Sequence, residues 1–216
     1  MTSHRLPITG TWVVVLLKDF ETAKQRLAVA LEPDPRRELA KRNAVLALTA
    51  AQVGDRALAV AGSTAAAELA RLAGAEVLLE SNPAGQNAAA YRGIHYAQSH
   101  GAEAVLLLSS DLPLVNPDAL REMLESARGI GPIGVMAAPA IGRGGTNALY
   151  LRPPDAISLH FGDDSLVKFE QDAAARGVPF ALFESDALAL DLDEPSDLTV
   201  LASILIRAHS GGKTAT

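Results

Sequence analysis

The chain has 216 residues, 49% hydrophobic and 20% charged, with a net charge of −6 and no cysteine. This size and balance fit one sizeable soluble α/β domain. The acidic balance argues against a general nucleic-acid binder that relies on phosphate attraction. The missing cysteine excludes disulfides, thiolate nucleophiles and Cys-ligated zinc. The first apolar run, Trp12 to Leu17, is too short for a membrane span and lacks the flanks of a signal peptide. A cytoplasmic protein with no membrane partner is expected.

Continuous apolar runs predict strands buried on both faces: WVVVLLK (12–18), RALAVAG (56–62), AEVLLES (75–81), AVLLLSS (104–110) and IGVMAAPA (133–140). Helical patterns separate them at 35–52, 64–74, 85–101 and 116–128, with Gly74 and Gly101 as C-terminal stops. Such alternation implies a mainly parallel sheet with helices on both faces. After Ala140 the rhythm changes. A glycine-rich turn (GRGGTN, 142–147) leads into a strand, FGDDS (161–165) opens a helix, and LALDLDEPSDL (188–198) precedes a terminal helix reaching about Ala208. With no internal repeat or linker, residues 1–216 read as a single domain, with flexible ends at about 1–10 and 209–216.

In open α/β sheets ligands bind beyond the carboxyl ends of the strands. Asp111 lies at such an end, in SSDLPL, and Asp191 and Asp193 stand at what reads as another strand end. Alternation puts the latter pair on one side of the chain. Asp111 and Asp191 together would offer hard oxygen ligands, and Mg²⁺ commonly takes one or two carboxylates with water and phosphates. The plainer readings stand beside this one: Asp111 in an exposed turn, and Asp193 or Glu194 capping the helix opened by Pro195. Lys18, Lys24 and Arg26 follow the first strand and could face phosphates or form a solvated face. Gly85-Gln86-Asn87 could read a base or simply cap a helix. The GRGGTN segment lacks both the dinucleotide and the P-loop glycine patterns, though it could form an anion nest. Asp163 or Asp164 could cap the helix after FGDDS.

Taken in order, LLKDFETAKQRL, GQNAA, SSDLPL, RGGTNALYLRPPDAISLHFGDDS and LALDLDEPSDL resemble the 2-phospho-L-lactate guanylyltransferase family of deazaflavin coenzyme biosynthesis, over roughly residues 12–200. The resemblance implies a three-layer, mainly parallel α/β sheet of the nucleotide-diphospho-sugar transferase (glycosyltransferase-A-like) type. It implies guanylyl transfer from GTP to a phosphorylated three-carbon acid (2-phospho-L-lactate, phosphoenolpyruvate or 3-phosphoglycerate) with release of pyrophosphate. Asp111 and Asp191 match the metal-binding carboxylates, and the expected cofactor is Mg²⁺. Asp111, Asp191 and Lys24 are the expected catalytic residues. Lys18, Arg26 and Asn87 are expected on GTP, although Gln86 stands where Leu is usual. Thr146, Gly162 and Ser165 match the positions that hold the acid's phosphate, leaving His160 and Arg143 as candidates for its carboxylate. A homodimer and hand-over of the product to the next transferase of the pathway are compatible with this reading; nucleic acid is not an expected partner. The rivals are a nucleotidyltransferase of the same fold acting on a molybdenum-cofactor or sugar phosphate, and a non-catalytic nucleotide-binding protein.

Overall fold

Four of the apolar runs form the parallel part of a single sheet. In the computed structural model, which describes residues 10–142 and 144–211, β1 (Thr11–Leu17), β2 (Arg56–Ala61), β3 (Glu76–Leu79) and β4 (Ala104–Ser109) are parallel. The sheet continues through β5 (Gly134–Pro139), β6 (Thr146–Arg152) and β7 (Phe180–Leu182), in the order β3-β2-β1-β4-β6-β5-β7. Strand β6 is antiparallel to both β4 and β5, whereas β7 is parallel to β5. The ends expected to be flexible lie largely outside the described residues.

Every residue of β1 is buried, because helices cover both faces of the sheet. Val13, Val15 and Leu17 face a layer formed by α1 (Pro33–Ala51), α2 (Thr64–Leu72) and α4 (Pro117–Arg128). Trp12, Val14 and Leu16 face α3 (Gln86–Ser99) and α5 (Ser165–Arg176). The result is a three-layer α/β fold with a mostly parallel sheet, as the alternating pattern predicts. β3 departs from expectation. As an edge strand with one neighbour it is only four residues long and half-buried to exposed.

A second departure concerns the acidic segment before the last helix. Residues 190–194, between α6 (Asp186–Ala189) and α7 (Pro195–Gly211), are not in a strand. Leu188, Leu190 and Leu192 are buried while Asp191 and Asp193 line a cavity, so the two-residue alternation persists. The segment instead lies against the loop after β4, where Leu192 N donates to Asp111 O at 3.0 Å.

Helix α3 approaches the sheet through Gly93. A Cβ there would sit 2.5 Å from Val14 Cγ1 and 3.0 Å from Val60 Cγ2. β-branched neighbours cannot swing aside cheaply. Gly93→Ala is therefore expected to destabilise the protein by about 1–2 kcal/mol, overpacking outweighing the gain in helix propensity. An unchanged urea midpoint would show that α3 can lift off the sheet without cost.

Candidate active site

The strand order changes direction between β1 and β4, and the crevice opens at their carboxyl ends. Lys18 follows β1, Gly62 follows β2, Glu80 follows β3, and Ser110-Asp111 follow β4, all on one edge of the sheet. Because β6 runs the opposite way, it brings its first residue, Thr146, to that same edge.

Asp111 is held from several sides. Ser110 Oγ donates to Leu16 O at 2.8 Å, tying the turn to β1. Asn43 Nδ2, from α1, donates to Asp111 O at 3.3 Å. Beneath the carboxylate, Lys24 Nζ donates to Asp111 Oδ1 at 2.5 Å and to Leu192 O at 2.6 Å. The Lys24 side chain is only 1% exposed and that of Asp111 18%. Lys24 takes a left-handed backbone conformation (φ 58°), unusual for a residue with a side chain. Its ammonium thus joins three segments at one point. Lys18 Nζ lies 3.5 Å from Asp111 Oδ2 and is largely exposed. Burial pushes the Asp111 carboxyl upward, but the charges of Lys24 and Lys18 and their hydrogen bonds together hold it below the ordinary value of 3.8.

A cavity of about 260 Å³ gathers Lys18, Arg26, Asp111 and Asp191 with Thr146, Gly162 and Ser165. Thr146 and Ser165 are buried, and Ser165 Oγ donates to Thr146 Oγ1 at 3.1 Å. Gly162 has φ +128°, a conformation that suits glycine. Arg26 Nη1 lies 2.9 Å from Asp193 Oδ2. Asp197 Oδ2, in the first turn of α7, accepts from the backbone N–H of Asp193 and Glu194, at 2.8 and 2.7 Å. Asp164 occupies the residue before α5 without a side-chain capping bond.

A larger cavity, about 490 Å³, adjoins the first and shares Lys18, Gln86, Ser109 and Asp111 with it. Its walls include Leu16, Leu17, Gly62, Glu80, Pro83 and Ala89. Asn87 spends both ends of its amide elsewhere: Nδ2 donates to Phe161 O at 3.0 Å, and Oδ1 accepts from Phe161 N at 2.9 Å. It fixes the FGDDS turn to α3. His160 Nε2 lies 3.4 Å from Asp172 Oδ2, beside Arg176 on Asp172 Oδ1. Arg143 lies outside the described residues. Glu80 is the residue the sequence reading passed over. Its signal was the same as that of Lys18, a charged residue directly after an apolar run.

Among the described residues no group of three or more His, Asp or Glu side chains is placed to hold a metal ion. No helix among them is long and apolar enough to cross a membrane.

The crevice thus combines carboxylates and cations at the switch point with two adjoining cavities. A family model described as guanylyl transferase, CofC like, matches residues 11–215. The chain belongs to this guanylyltransferase family. It is 41% identical over 195 residues to a phosphoenolpyruvate guanylyltransferase of Rubrobacter xylanophilus, covering 89% of this chain and 93% of the relative. A phosphoenolpyruvate guanylyltransferase of Conexibacter woesei is 36% identical over 210 residues, covering 96% and 93%. A 2-phospho-L-lactate guanylyltransferase of Methanothermobacter thermautotrophicus is 31% identical over 189 residues, covering 87% and 82%. The fold is similar to that of a candidate nucleotide-diphospho-sugar transferase from Desulfovibrio desulfuricans G20, with a TM-score of 0.69 at 15% identity over 90% of this chain and 87% of that one. As a guanylyltransferase the protein is a nucleotidyltransferase.

Proposed function

We propose that the enzyme transfers the guanylyl group of GTP to phosphoenolpyruvate, releasing pyrophosphate, in the cytoplasm. The observation that carries this reading is the smaller cavity, where Asp111 and Asp191 meet the acid-side residues Thr146, Gly162 and Ser165. Phosphoenolpyruvate is preferred to 2-phospho-L-lactate because relatives named for it match at 41% and 36% identity, against 31%. The product would pass to a further transferase.

In this reaction a phosphate oxygen of the acid attacks the α-phosphorus of GTP. The bond to the bridging oxygen breaks, and pyrophosphate leaves with that electron pair. No protein nucleophile or general base is needed, because the attacking phosphate is already ionised. The protein contributes position and opposite charge. Thr146 and Ser165 hydroxyls and the backbone around Gly162 hold the acid's phosphate. Lys18 and Arg26 meet the triphosphate, and buried Lys24 acts as a positioning residue that keeps Asp111 in place. Asp111 and Asp191, both in the lining of the cavity, would suit Mg²⁺, a hard cation that commonly takes one or two protein carboxylates. Held by Asp111 and Asp191, Mg²⁺ would supply positive charge to the phosphates.

The test is pyrophosphate release with GTP, Mg²⁺ and each of phosphoenolpyruvate, 2-phospho-L-lactate and 3-phosphoglycerate. The highest kcat/KM is expected with phosphoenolpyruvate. A higher value with another acid would reassign the substrate, and no release with any would overturn the reading.

Ser165→Ala removes one hydroxyl from the acid side. The KM for the acid is expected to rise by about ten- to a hundredfold, the value of one hydrogen bond to a charged group. The KM for GTP should stay nearly unchanged. A rise confined to GTP would place the nucleotide, rather than the acid, on the FGDDS turn.

A further inference from the structure

We propose that Glu80 selects the nucleotide base, its carboxylate accepting hydrogen bonds from the N1–H and 2-amino groups of guanine. The inference rests on the guanylyl-transfer reading and adds the residue that would make GTP the substrate. Glu80 follows β3 directly and is anchored by its backbone, whose N–H donates to Ala61 O at 2.9 Å. Its side chain is 5% exposed, in the wall of the larger cavity. Arg92 Nη1, from α3, lies 2.8 Å from Oε1. The bond from Arg92 is made to Oε1, on one side of the carboxylate.

The surroundings suit a flat base. Leu16, Leu17, Pro83 and Ala89 supply apolar walls, and at Gly62 a Cβ would come within 3.3 Å of the backbone at Asp19 N and Leu17 O. Lys18 and Asp111 stand where this cavity meets the smaller one. A nucleotide with its α-phosphate at that junction would therefore have its base in the larger cavity. A carboxylate there is an acceptor only. Guanine offers it adjacent N1–H and N2–H donors, whereas adenine presents an N1 acceptor and cytosine an N3 acceptor. Burial makes such a mismatch expensive, since a polar group left unpaired away from water loses its hydration without replacement. The Asn87 amide, bonded at both ends to Phe161, is committed elsewhere.

The decisive measurement compares GTP with ITP, which keeps N1–H but lacks the 2-amino group, and with 1-methyl-GTP, which lacks N1–H. The wild-type enzyme is expected to favour GTP over each by roughly ten- to a hundredfold in kcat/KM. In Glu80→Gln the GTP/ITP ratio should fall to within about threefold of unity. If the Glu80–Arg92 pair served only to hold α3 against β3, the GTP and ITP constants would move together and the ratio would be preserved; that result overturns the proposal. So does wild-type enzyme that uses ITP or 1-methyl-GTP as well as GTP, a comparison that needs no folded variant. These failures leave guanylyl transfer standing. Wild-type enzyme that releases no pyrophosphate from GTP would instead remove the functional reading, and this assignment with it.

Discussion

Replacing Asp111 by Asn is expected to lower guanylyl transfer by about a hundred- to a thousandfold, on the order of losing one electrostatic stabiliser of a transition state, because the amide would hold Mg²⁺ less well than the carboxylate. The structure adds a complication. Asn retains an oxygen that can accept from Lys24, but it no longer neutralises an ammonium that is almost wholly buried. Stability should therefore fall along with activity, and the single variant cannot separate the two effects. Asp111→Asn combined with Lys24→Met can. Removing both members of a buried ion pair is often close to neutral for stability. The double variant is expected to regain stability relative to the less stable single variant while transfer stays at the Asp111→Asn level. Pyrophosphate release recovering together with the melting temperature would reduce Asp111 to a structural role.

The second large effect belongs to Lys24→Met alone. It leaves the largely buried Asp111 carboxylate with exposed Lys18, at 3.5 Å, as its one remaining ion-pair partner among the described residues. Breaking a buried pair in this way costs about 3–5 kcal/mol, and the remaining lysine argues for the low end. The pH dependence follows from the direction of the Asp111 shift. In the wild type the folded-state value lies below 3.8. The pair's contribution is therefore fully present above that pH and is lost as pH falls through the lower, folded-state value. Without Lys24, burial dominates and the folded-state value rises above the unfolded one. The variant then gains stability on protonation as pH falls. The difference between wild type and variant should accordingly narrow from pH 7 toward pH 4. Urea unfolding at both pH values, without added metal, checks this. A constant difference would mean that Lys24 acts through its contact with Leu192 rather than through charge.

The candidate site was legible in the sequence where chemistry follows directly from strand ends. Lys18 and Asp111 could be placed because a continuous apolar run that stops at a charged residue marks the rim of a doubly covered sheet. Asp191 and Asp193 were legible through alternation, which holds whether or not a ladder forms; the strand itself was not there, because this segment bonds to the Asp111 loop instead of a neighbouring strand. Glu80 follows an apolar run as Lys18 does, but that it lines a cavity depends on α3 and the end of β1 folding beside it, which local sequence does not show. The sequence leaves Asn87 open between reading a base and capping a helix, and in the structure its amide bonds the FGDDS turn 74 residues away. A side-chain amide looks the same in sequence whether its partner is a ligand or a backbone.

By itself the sequence determined the α/β class, most of the buried strands and the charged residues Lys18 and Asp111 that follow two of them, because these depend on periodicity and on where apolar runs stop. Tertiary structure decided the rest. The reversal at β6 carries Thr146 to the active edge, and the two cavities meet at Lys18 and Asp111. Lys24 reaches across 87 residues to Asp111 and 168 to Leu192. Contacts of that range depend on which strands become neighbours. Local propensity cannot encode them, because it extends over only a few residues, whereas sheet order is settled by burial of the whole chain.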